Sequence, residues 1–137
     1  MQNGALWKWA FEGAAMNKNA LLNDDVGTVR ALIDEYFNGL HHADTGKLKA
    51  IFHPDTVLKA PGLRRSLNEW LELVKTRAVP AEQGSVYGYR LLSLDIVEAQ
   101  AMVKVLCPLF DRVYIDYLGL LKEEGCWRIV NKMYADI

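Results

Sequence analysis

The late segment of the chain decides the fold, and residues 111–134 read DRVYIDYLGLLKEEGCWRIVNKMY. Two apolar runs, residues 111–122 and residues 126–134, flank the short polar turn Glu123-Glu124-Gly125. Glycine suits such a turn because it adopts backbone conformations that other residues avoid. Apolar runs of this length on either side of a turn predict two antiparallel β-strands joined as a hairpin.

Both faces of the first of these strands are apolar. One face carries Val113, Ile115, Tyr117 and Leu121, and the other carries Tyr114, Leu118 and Leu120. Helices can cover only one side of a small sheet, and a strand with one solvated face alternates apolar with polar residues. We therefore expect a second copy of the chain to cover the other side, giving a twofold homodimer through the sheet.

Two further β runs precede the hairpin, at residues 85–96 and residues 98–107. The second run alternates, and the apolar residues that share one face are Ala99, Ala101, Val103, Val105 and Cys107. Pro108 ends this run because proline cannot donate a ladder hydrogen bond. The second half of the chain is therefore predicted to be a four-stranded antiparallel meander.

The first half of the chain has helical periodicity. Apolar residues recur at steps of three and four and form one buried stripe: Val26, Val29, Ile33, Tyr36, Phe37 and Leu40. The polar residues 23–25 can cap this helix, so we expect it to begin near Val26. Gly39 and the adjacent His41 and His42 mark its end.

Two shorter helices follow. The first is predicted from Asp44 to just before Pro54, because the residue ahead of a proline is pushed out of the helical region. The second opens at Ser66 with a capping box that Glu69 completes, and a short strand over residues 55–60 separates the two. Three helices with an antiparallel meander predict an α+β fold rather than alternating βαβ units.

Length and composition predict one globular domain. The chain has 137 residues, of which 51% are apolar and 24% charged, and its net charge is −1. We assign the domain to residues 23–137. Residues 1–22 are expected to be a leader, poorly ordered or loosely helical, with Met16 as an alternative start.

Composition disfavours several classes of partner. The densest basic spot is Arg64-Arg65, which is too small for the clustered charge that nucleic acid binding requires. No apolar stretch approaches the roughly 20 residues of a membrane span, so we expect a cytoplasmic protein that binds neither nucleic acid nor membrane. Cys107 and Cys126 lie in apolar runs and are expected to be inert.

Five stretches, taken in order, resemble one known family: Tyr36–Gly39, Phe52–Asp55, Ala101–Val105, Asp116–Lys122 and Gly125–Lys132. The last of them, GCWRIVNK, is the most specific. The family is the putative lumazine-binding family of the nuclear transport factor 2-like superfamily, whose relatives include SnoaL-like cyclases and ketosteroid isomerases. The resemblance runs from about residue 25 to the end of the chain.

This resemblance implies a cone-shaped, curved antiparallel sheet packed on the three N-terminal helices, a cystatin-like cone roll. It also implies a cavity between the sheet and the helices, and a dimer formed through the sheets. It implies less about function, because one fold hosts many activities.

Asp116 is the candidate for acid–base catalysis. In SnoaL-like cyclases the closing strand carries a His-Trp-Asp string with the Asp as acid or base, whereas the matching stretch here is Asn131–Tyr134, so that group is absent. Asp116 lies on the central strand beside Tyr114, and a carboxyl group in an apolar cavity can transfer protons near neutral pH. The alternative is structural, with Asp116 paired to Arg112 or Lys132.

Aromatic side chains are the main evidence for a ligand pocket. Those that could line a cavity able to stack a flat ring are Tyr36, Phe37, Trp70, Tyr87, Tyr89 and Tyr114, together with Asp116. Pockets of this kind are mostly apolar, with a few polar groups that orient the ligand. The alternative for Tyr36, Trp70 and Tyr89 is ordinary core packing, to which we also assign Trp127.

The histidines and nearby carboxylates do not predict a metal site. The candidates are His41, His42, Asp44, His53 and Asp55. His41 and His42 are adjacent, so on a helix they point about 100° apart and do not face one ion. A glycine-rich phosphate loop is also missing from the sequence, and we expect no cofactor.

Three functions remain open. The first is a binding protein whose cone cavity holds an apolar or aromatic small molecule without turnover. The second is an isomerase, dehydratase or cyclase that uses Asp116 for proton transfer. The third is a dimerisation module with a vestigial pocket. A buried Asp116 that opens on a cavity near a tyrosine hydroxyl would favour the second over the first.

Overall fold

The computed structural model describes residues 4–137, and the side chains of residues 22 and 24–137. The helices are α1 (Gly4–His42), α2 (Thr45–Ile51) and α3 (Leu67–Thr76), and a 3-10 turn spans Pro80–Gln83. The strands are β1 (Phe52–Ala60), β2 (Leu63–Ser66), β3 (Arg90–Val97), β4 (Gln100–Leu109), β5 (Arg112–Glu123) and β6 (Cys126–Asp136). The α+β class that the sequence predicts is confirmed.

The strands form one sheet in the order β2-β1-β6-β5-β4-β3. Four neighbouring pairs are antiparallel, and β1 pairs in parallel with β6, so the sheet is mixed rather than wholly antiparallel. Parallel neighbours need a long connection, which α3 and the meander supply. Register shifts interrupt three of the ladders. Such bulges bend strands, and the sheet is curved and unclosed.

The first helix starts earlier than predicted. α1 begins at Gly4 rather than near Val26, because the preceding segment is rich in alanine and contains no proline. Of the predicted leader, residues 1–3 lie outside the described residues, and the backbone of residues 4–22 continues into α1. Its separation from the domain stays a prediction. Within the described residues, neither this helix nor another is long and apolar enough to span a membrane.

Asp25, one of the expected helix caps, instead ties α1 to the β5–β6 hairpin. Its Oδ1 accepts hydrogen bonds from the Trp127 indole Nε1–H and from the Lys122 ammonium, each at 3.0 Å. Partial burial by itself raises the pKa of the Asp25 carboxyl, but the two hydrogen bonds and the Lys122 charge together outweigh it and lower the pKa below its ordinary value. The C-terminal hairpin is therefore anchored on the first helix.

The local signals for α2 and α3 are confirmed. Asp44 caps α2 by accepting from a backbone N–H of its first turn at 3.0 Å, and Ser66 and Glu69 form the predicted capping box of α3. Gly39 lets α2 approach α1 closely, since a Cβ at this position would lie 2.6 Å from a side-chain carbon of Leu48. The helices therefore pack as one layer against the sheet.

The meander differs from the prediction mainly at the start of β3 and the end of β4. β3 begins at Arg90 rather than at Ser85, and β4 continues through Pro108 to Leu109. The last pair in register between these strands joins Arg90 to Leu106, and proline has no N–H with which to extend the ladder. β4 therefore passes Pro108 as an edge strand, where proline is tolerated. The short strand β2 is an element that the sequence pattern did not predict.

The core lies between the helices and the inner face of the sheet. The buried inward positions of β4 are Ala101, Val103, Val105 and Cys107, as predicted. Ala99, also predicted on this face, is exposed in the turn before β4. On β5 the inward residues Asp116, Leu118 and Leu120 are buried, whereas Tyr117 on the outer face is 44% exposed. In the single chain, the outer face of the sheet is therefore apolar and accessible.

Candidate functional site

A cavity of about 160 Å³ opens between the helix layer and the inner face of the sheet. Its polar wall residues are Arg65, Arg77, Cys107, Tyr114, Asp116, Lys132 and Tyr134. Its apolar wall residues are Leu40, Trp70, Leu73, Leu109 and Phe110. Because these residues come from α1, α3, the loops and four strands, the cavity is a product of the tertiary fold.

Asp116 lies in a buried hydrogen-bond network at this cavity, and its residue is only 3% exposed. The Tyr36 hydroxyl donates to Asp116 Oδ2 at 2.6 Å, and the Cys107 thiol donates to the same oxygen at 3.6 Å. The Lys132 ammonium is 4.0 Å from it. The four residues belong to α1, β4, β5 and β6, so each element contributes one member of the network.

Burial keeps both hydrogen-bond donors to Asp116 protonated. It raises the pKa of the Tyr36 hydroxyl well above its ordinary value of 10.0, and the neighbouring Asp116 raises it further. Burial likewise raises the pKa of the Cys107 thiol. Neither group is a nucleophile at neutral pH, and both serve as donors to the carboxylate.

Lys132 is buried beneath aromatic rings. Its Nζ lies 4.2 Å from the centroid of the Trp70 ring. The Tyr36 and Tyr134 rings lie at 5.3 Å and 5.5 Å. Burial lowers the pKa of this ammonium, and Asp116 opposes the shift. The ring faces and the carboxylate partly replace the water that the ammonium loses on burial.

Two arginines complete the charged wall. Arg77 follows α3, and its guanidinium carbon lies 5.0 Å from the centroid of the Phe110 ring. Burial lowers the pKa of Arg77. Arg65 reaches the cavity from β2. Among the described residues, neither guanidinium lies within 4.0 Å of a carboxylate oxygen.

Part of the predicted pocket set meets at this cavity. Trp70, Tyr114 and Asp116 line it. Tyr36 lies behind the wall, fully buried, and reaches the site through its hydroxyl. Of the two structural partners considered for Asp116, Lys132 lies at 4.0 Å, whereas Arg112 pairs with Asp136 at 2.7 Å. The catalytic roles of Asp116 and Tyr114 stay predictions.

The other predicted pocket residues lie in a second group, the His41 cluster, which consists of His41, Phe37, Tyr87 and Tyr89. The Phe37 and Tyr89 rings stack with centroids 5.5 Å apart, and the Tyr89 hydroxyl lies 3.0 Å from His41 Nδ1. Tyr87 packs edge-on against Tyr89 and is 46% exposed. All four residues lie outside the cavity wall, so the predicted ligand-binding role of Phe37, Tyr87 and Tyr89 stays a prediction.

Sequence reasoning overlooked Lys132, Arg77 and Arg65 as site residues. If side chains alternated regularly along β6 from the inward residues Trp127 and Ile129, Asn131 would face inward and Lys132 outward. A register shift between β5 and β6 reverses this phase, because Leu120 pairs with Ile129 while Gly119 pairs with Asn131. Lys132 therefore faces the cavity. A one-residue bulge leaves no clear mark in a single sequence.

The histidines and carboxylates considered for a metal site lie apart in separate local contacts. His41 bonds to Tyr89, and His53 Nδ1 lies 2.6 Å from Asp55 Oδ1. Asp44 caps α2. In the part of the chain that the structure describes, no three histidine, cysteine or acidic side chains are arranged to hold a metal ion.

Comparisons with known proteins agree with this architecture. A nuclear transport factor 2-like protein of unknown function from Silicibacter pomeroyi is similar at 22% identity and a TM-score of 0.69, over 85% of this chain and 98% of its own. One from Methylobacillus flagellatus is similar at 20% identity and a TM-score of 0.67, over 83% and 93%. A protein with a cystatin-like fold from Caulobacter vibrioides matches at 17% identity and a TM-score of 0.56, over 82% and 89%.

These similarities concern the fold, since the identities are low. None of the curated proteins matches the chain. The model of the putative lumazine-binding family matches residues 24–135, which is most of the chain. The chain therefore belongs to the putative lumazine-binding family, and its fold is similar to that of nuclear transport factor 2-like proteins.

Proposed function

We propose that this chain binds a small organic molecule in the cavity beside Asp116. The observation that carries the proposal is the wall itself, which combines aromatic and aliphatic side chains with four charged ones. Ligand sites typically have this composition, because apolar surface provides affinity and a few polar groups fix orientation. Membership in a family named for lumazine binding also supports a small-molecule ligand.

The cavity volume bounds the size of the ligand. Its volume of about 160 Å³ is close to the ~150 Å³ of an engineered protein cavity that binds benzene. Lumazine has two fused rings, so admitting it requires wall side chains to move. Leu73, which is 43% exposed, can do so without disturbing the core. A ligand with one ring fits the cavity as it stands.

Titration calorimetry with benzyl alcohol and with lumazine tests this proposal. We expect saturable binding of benzyl alcohol at one site per chain. Trp70→Ala should weaken the binding about tenfold, because it removes an aromatic wall. Tyr87→Ala, which removes an exposed ring of the His41 cluster, is the matched control and should leave the affinity unchanged.

Two outcomes of this titration would count against the proposal. Absence of saturable binding for both probes would contradict a ligand site in the cavity. Unchanged affinity of Trp70→Ala for benzyl alcohol would show that Trp70 serves core packing and that the ligand binds elsewhere.

Proton transfer by Asp116 is a second candidate function. A buried carboxylate that opens on a cavity and accepts a hydrogen bond from Tyr36 at 2.6 Å favours it. Asp116 would take a proton from a carbon next to a carbonyl group and return it to another carbon, which isomerises the substrate without changing its composition. The Lys132 ammonium would stabilise the negative charge that develops on the carbonyl oxygen.

The conversion of a one-ring β,γ-unsaturated ketone, β,γ-cyclohexenone, into its conjugated isomer measures this activity by ultraviolet absorption. The native chain should accelerate the conversion, and Asp116→Asn should abolish it with little change in thermal stability. A native rate at background would contradict catalysis of this type. A stability loss beyond about 2 kcal/mol in the variant would favour a buried structural pair instead.

We also propose that two chains associate through the outer face of the sheet. The exposed apolar side chains there include Val97, Met102, Tyr117 and Met133. Tyr117 lies directly opposite Met133 on the neighbouring strand, so the two form one continuous patch. A sheet face of this kind is normally covered, and a second copy covers it symmetrically.

Light scattering should give about twice the 15.5 kDa mass of one chain. Tyr117→Glu should shift the protein to the monomer, because it buries a charge in the proposed interface. Tyr87→Glu, at an exposed aromatic away from the sheet, should not. A native monomer at micromolar concentration would contradict the interface. A dimer without any ligand site would favour the dimerisation module with a vestigial pocket.

A further inference from the structure

Positive charge dominates the cavity wall. Three cationic side chains, Arg65, Arg77 and Lys132, face a single carboxylate, Asp116. The chain as a whole carries a net charge of −1, so this local excess does not follow from composition. It depends on the fold, because the three cations come from β2, from the residue after α3 and from β6.

The single carboxylate does not neutralise these cations. Asp116 Oδ2 already accepts from the Tyr36 hydroxyl at 2.6 Å and from the Cys107 thiol at 3.6 Å, and the Lys132 ammonium stands at 4.0 Å. Within the described residues, no carboxylate oxygen lies within 4.0 Å of Arg65 or Arg77. Among the described residues, Arg65 and Arg77 therefore have no carboxylate partner.

Arg77 is the least compensated of the three. It is half-buried against the Phe110 ring, with its guanidinium carbon 5.0 Å from the ring centroid, and this partial burial lowers its pKa. A charge removed from water is costly unless an opposite charge replaces the water. The planar guanidinium offers parallel N–H donors that match a carboxylate. An anion in the cavity would supply the missing partner.

We propose that the cavity selects a compact organic anion, a one-ring aromatic carboxylate whose charged end lies at Arg77 and whose ring packs against Trp70 and Phe110. This inference rests on the proposed binding function and adds the chemical class of the ligand. The volume of about 160 Å³ matches a ligand with one ring, because two fused rings would require wall side chains to move. The aromatic wall favours a ring over a bare inorganic anion.

Benzoate and benzamide are matched probes, since they have nearly the same shape and differ in charge. Calorimetric titration of the full chain at low salt should show benzoate binding about tenfold or more tightly than benzamide, because hydrogen bonds to charged groups are the stronger ones. Arg77→Gln should remove most of this preference. Arg112→Gln, an exposed arginine that pairs with Asp136, is the control and should keep it.

The outcomes separate this inference from the function on which it rests. Equal affinities for the two probes would overturn the anion preference and leave the ligand site standing. If benzyl alcohol binds but neither benzoate nor benzamide does, the anion preference is likewise overturned and the ligand site stands. If no probe binds, both proposals fail. Arg65→Gln, at a partly exposed position on β2, provides a second test should Arg77→Gln fold poorly. If both variants keep the native preference for benzoate over benzamide, the inference is also overturned.

Discussion

Two tyrosine hydroxyls of this molecule make hydrogen bonds of similar length in different surroundings. In the cavity, the Tyr36 hydroxyl donates to Asp116 at 2.6 Å. In the His41 cluster, the Tyr89 hydroxyl lies 3.0 Å from His41 Nδ1. Both bonds join α1 to residues far along the chain. The partner of Tyr36 is a buried carboxylate that opens on a cavity, whereas the partner of Tyr89 is an imidazole packed between aromatic rings.

The comparison shows how the same side-chain type serves packing in one place and a site in another. The His41 cluster is filled by its own rings, with Phe37 stacked on Tyr89 and Tyr87 edge-on to both His41 and Tyr89. The cavity is left open, and among the described residues the guanidinium groups of Arg65 and Arg77 on its wall have no carboxylate oxygen within 4.0 Å. Close packing favours stability, and an open polar cavity favours a ligand.

Tyr36→Phe should have the largest effect on stability. It removes a buried donor to a carboxylate, so the free energy of unfolding should fall by about 2–3 kcal/mol in urea denaturation. Tyr114→Phe is the matched control, because Tyr114 lines the same cavity and its hydroxyl makes no hydrogen bond among the described residues. A loss in Tyr36→Phe no larger than in the control would contradict the network around Asp116.

Tyr89→Phe should cost less, about 1 kcal/mol, because the bond that it removes joins a hydroxyl to an imidazole that is neutral at pH 7. Burial raises the pKa of Tyr89 to about 12, so the hydroxyl keeps its proton throughout the neutral range. The same urea titration measures the change. A loss as large as that of Tyr36→Phe would remove the distinction between the two regions.

A smaller effect on the free energy of unfolding is expected when His41 gains a proton. Burial, helped by the neighbouring His42, lowers the pKa of His41 below its ordinary value of 6.5. The folded state thus binds this proton less readily than the unfolded state, so the His41 contribution is fully present above pH 6.5 and is lost as the pH falls through the folded pKa.

Thermal unfolding at pH 7 and pH 5 checks this sign. The native chain should lose more stability between these values than His41→Gln does. His42→Gln, at the exposed adjacent histidine, should keep most of the native slope. Equal slopes in the native chain and in His41→Gln would show that burial does not depress the His41 pKa.

Local patterns predicted most of the fold. The alternation of β4 identified its inward residues, and the capping box at Ser66 identified the start of α3, because both depend on neighbours in the sequence. The parallel pairing of β1 with β6 is a contact between distant segments and has no local signal. The homodimer and the cytoplasmic location stay predictions.

The candidate site was less predictable than the fold. Asp116, Tyr114 and Trp70 stood out as a carboxylate and aromatic residues at inward positions, and the structure brings them to one cavity. Lys132 was hidden by the bulge in β6, and Arg77 lies just beyond a helix, where no periodicity indicates its direction. The positive charges of the cavity wall could therefore be recognised only from the tertiary structure.

The most direct test of the account follows the indole N–H signals of Trp70 and Trp127 by nuclear magnetic resonance, each assigned with a Trp→Phe variant, during titration with benzyl alcohol and then benzoate. Trp70 lines the cavity, whereas the Trp127 indole donates to Asp25 and is not part of the cavity wall. We predict a saturable shift of the Trp70 signal and none for the Trp127 signal. An unmoved Trp70 signal with both probes, or equal shifts of the two, would contradict a ligand site in this cavity.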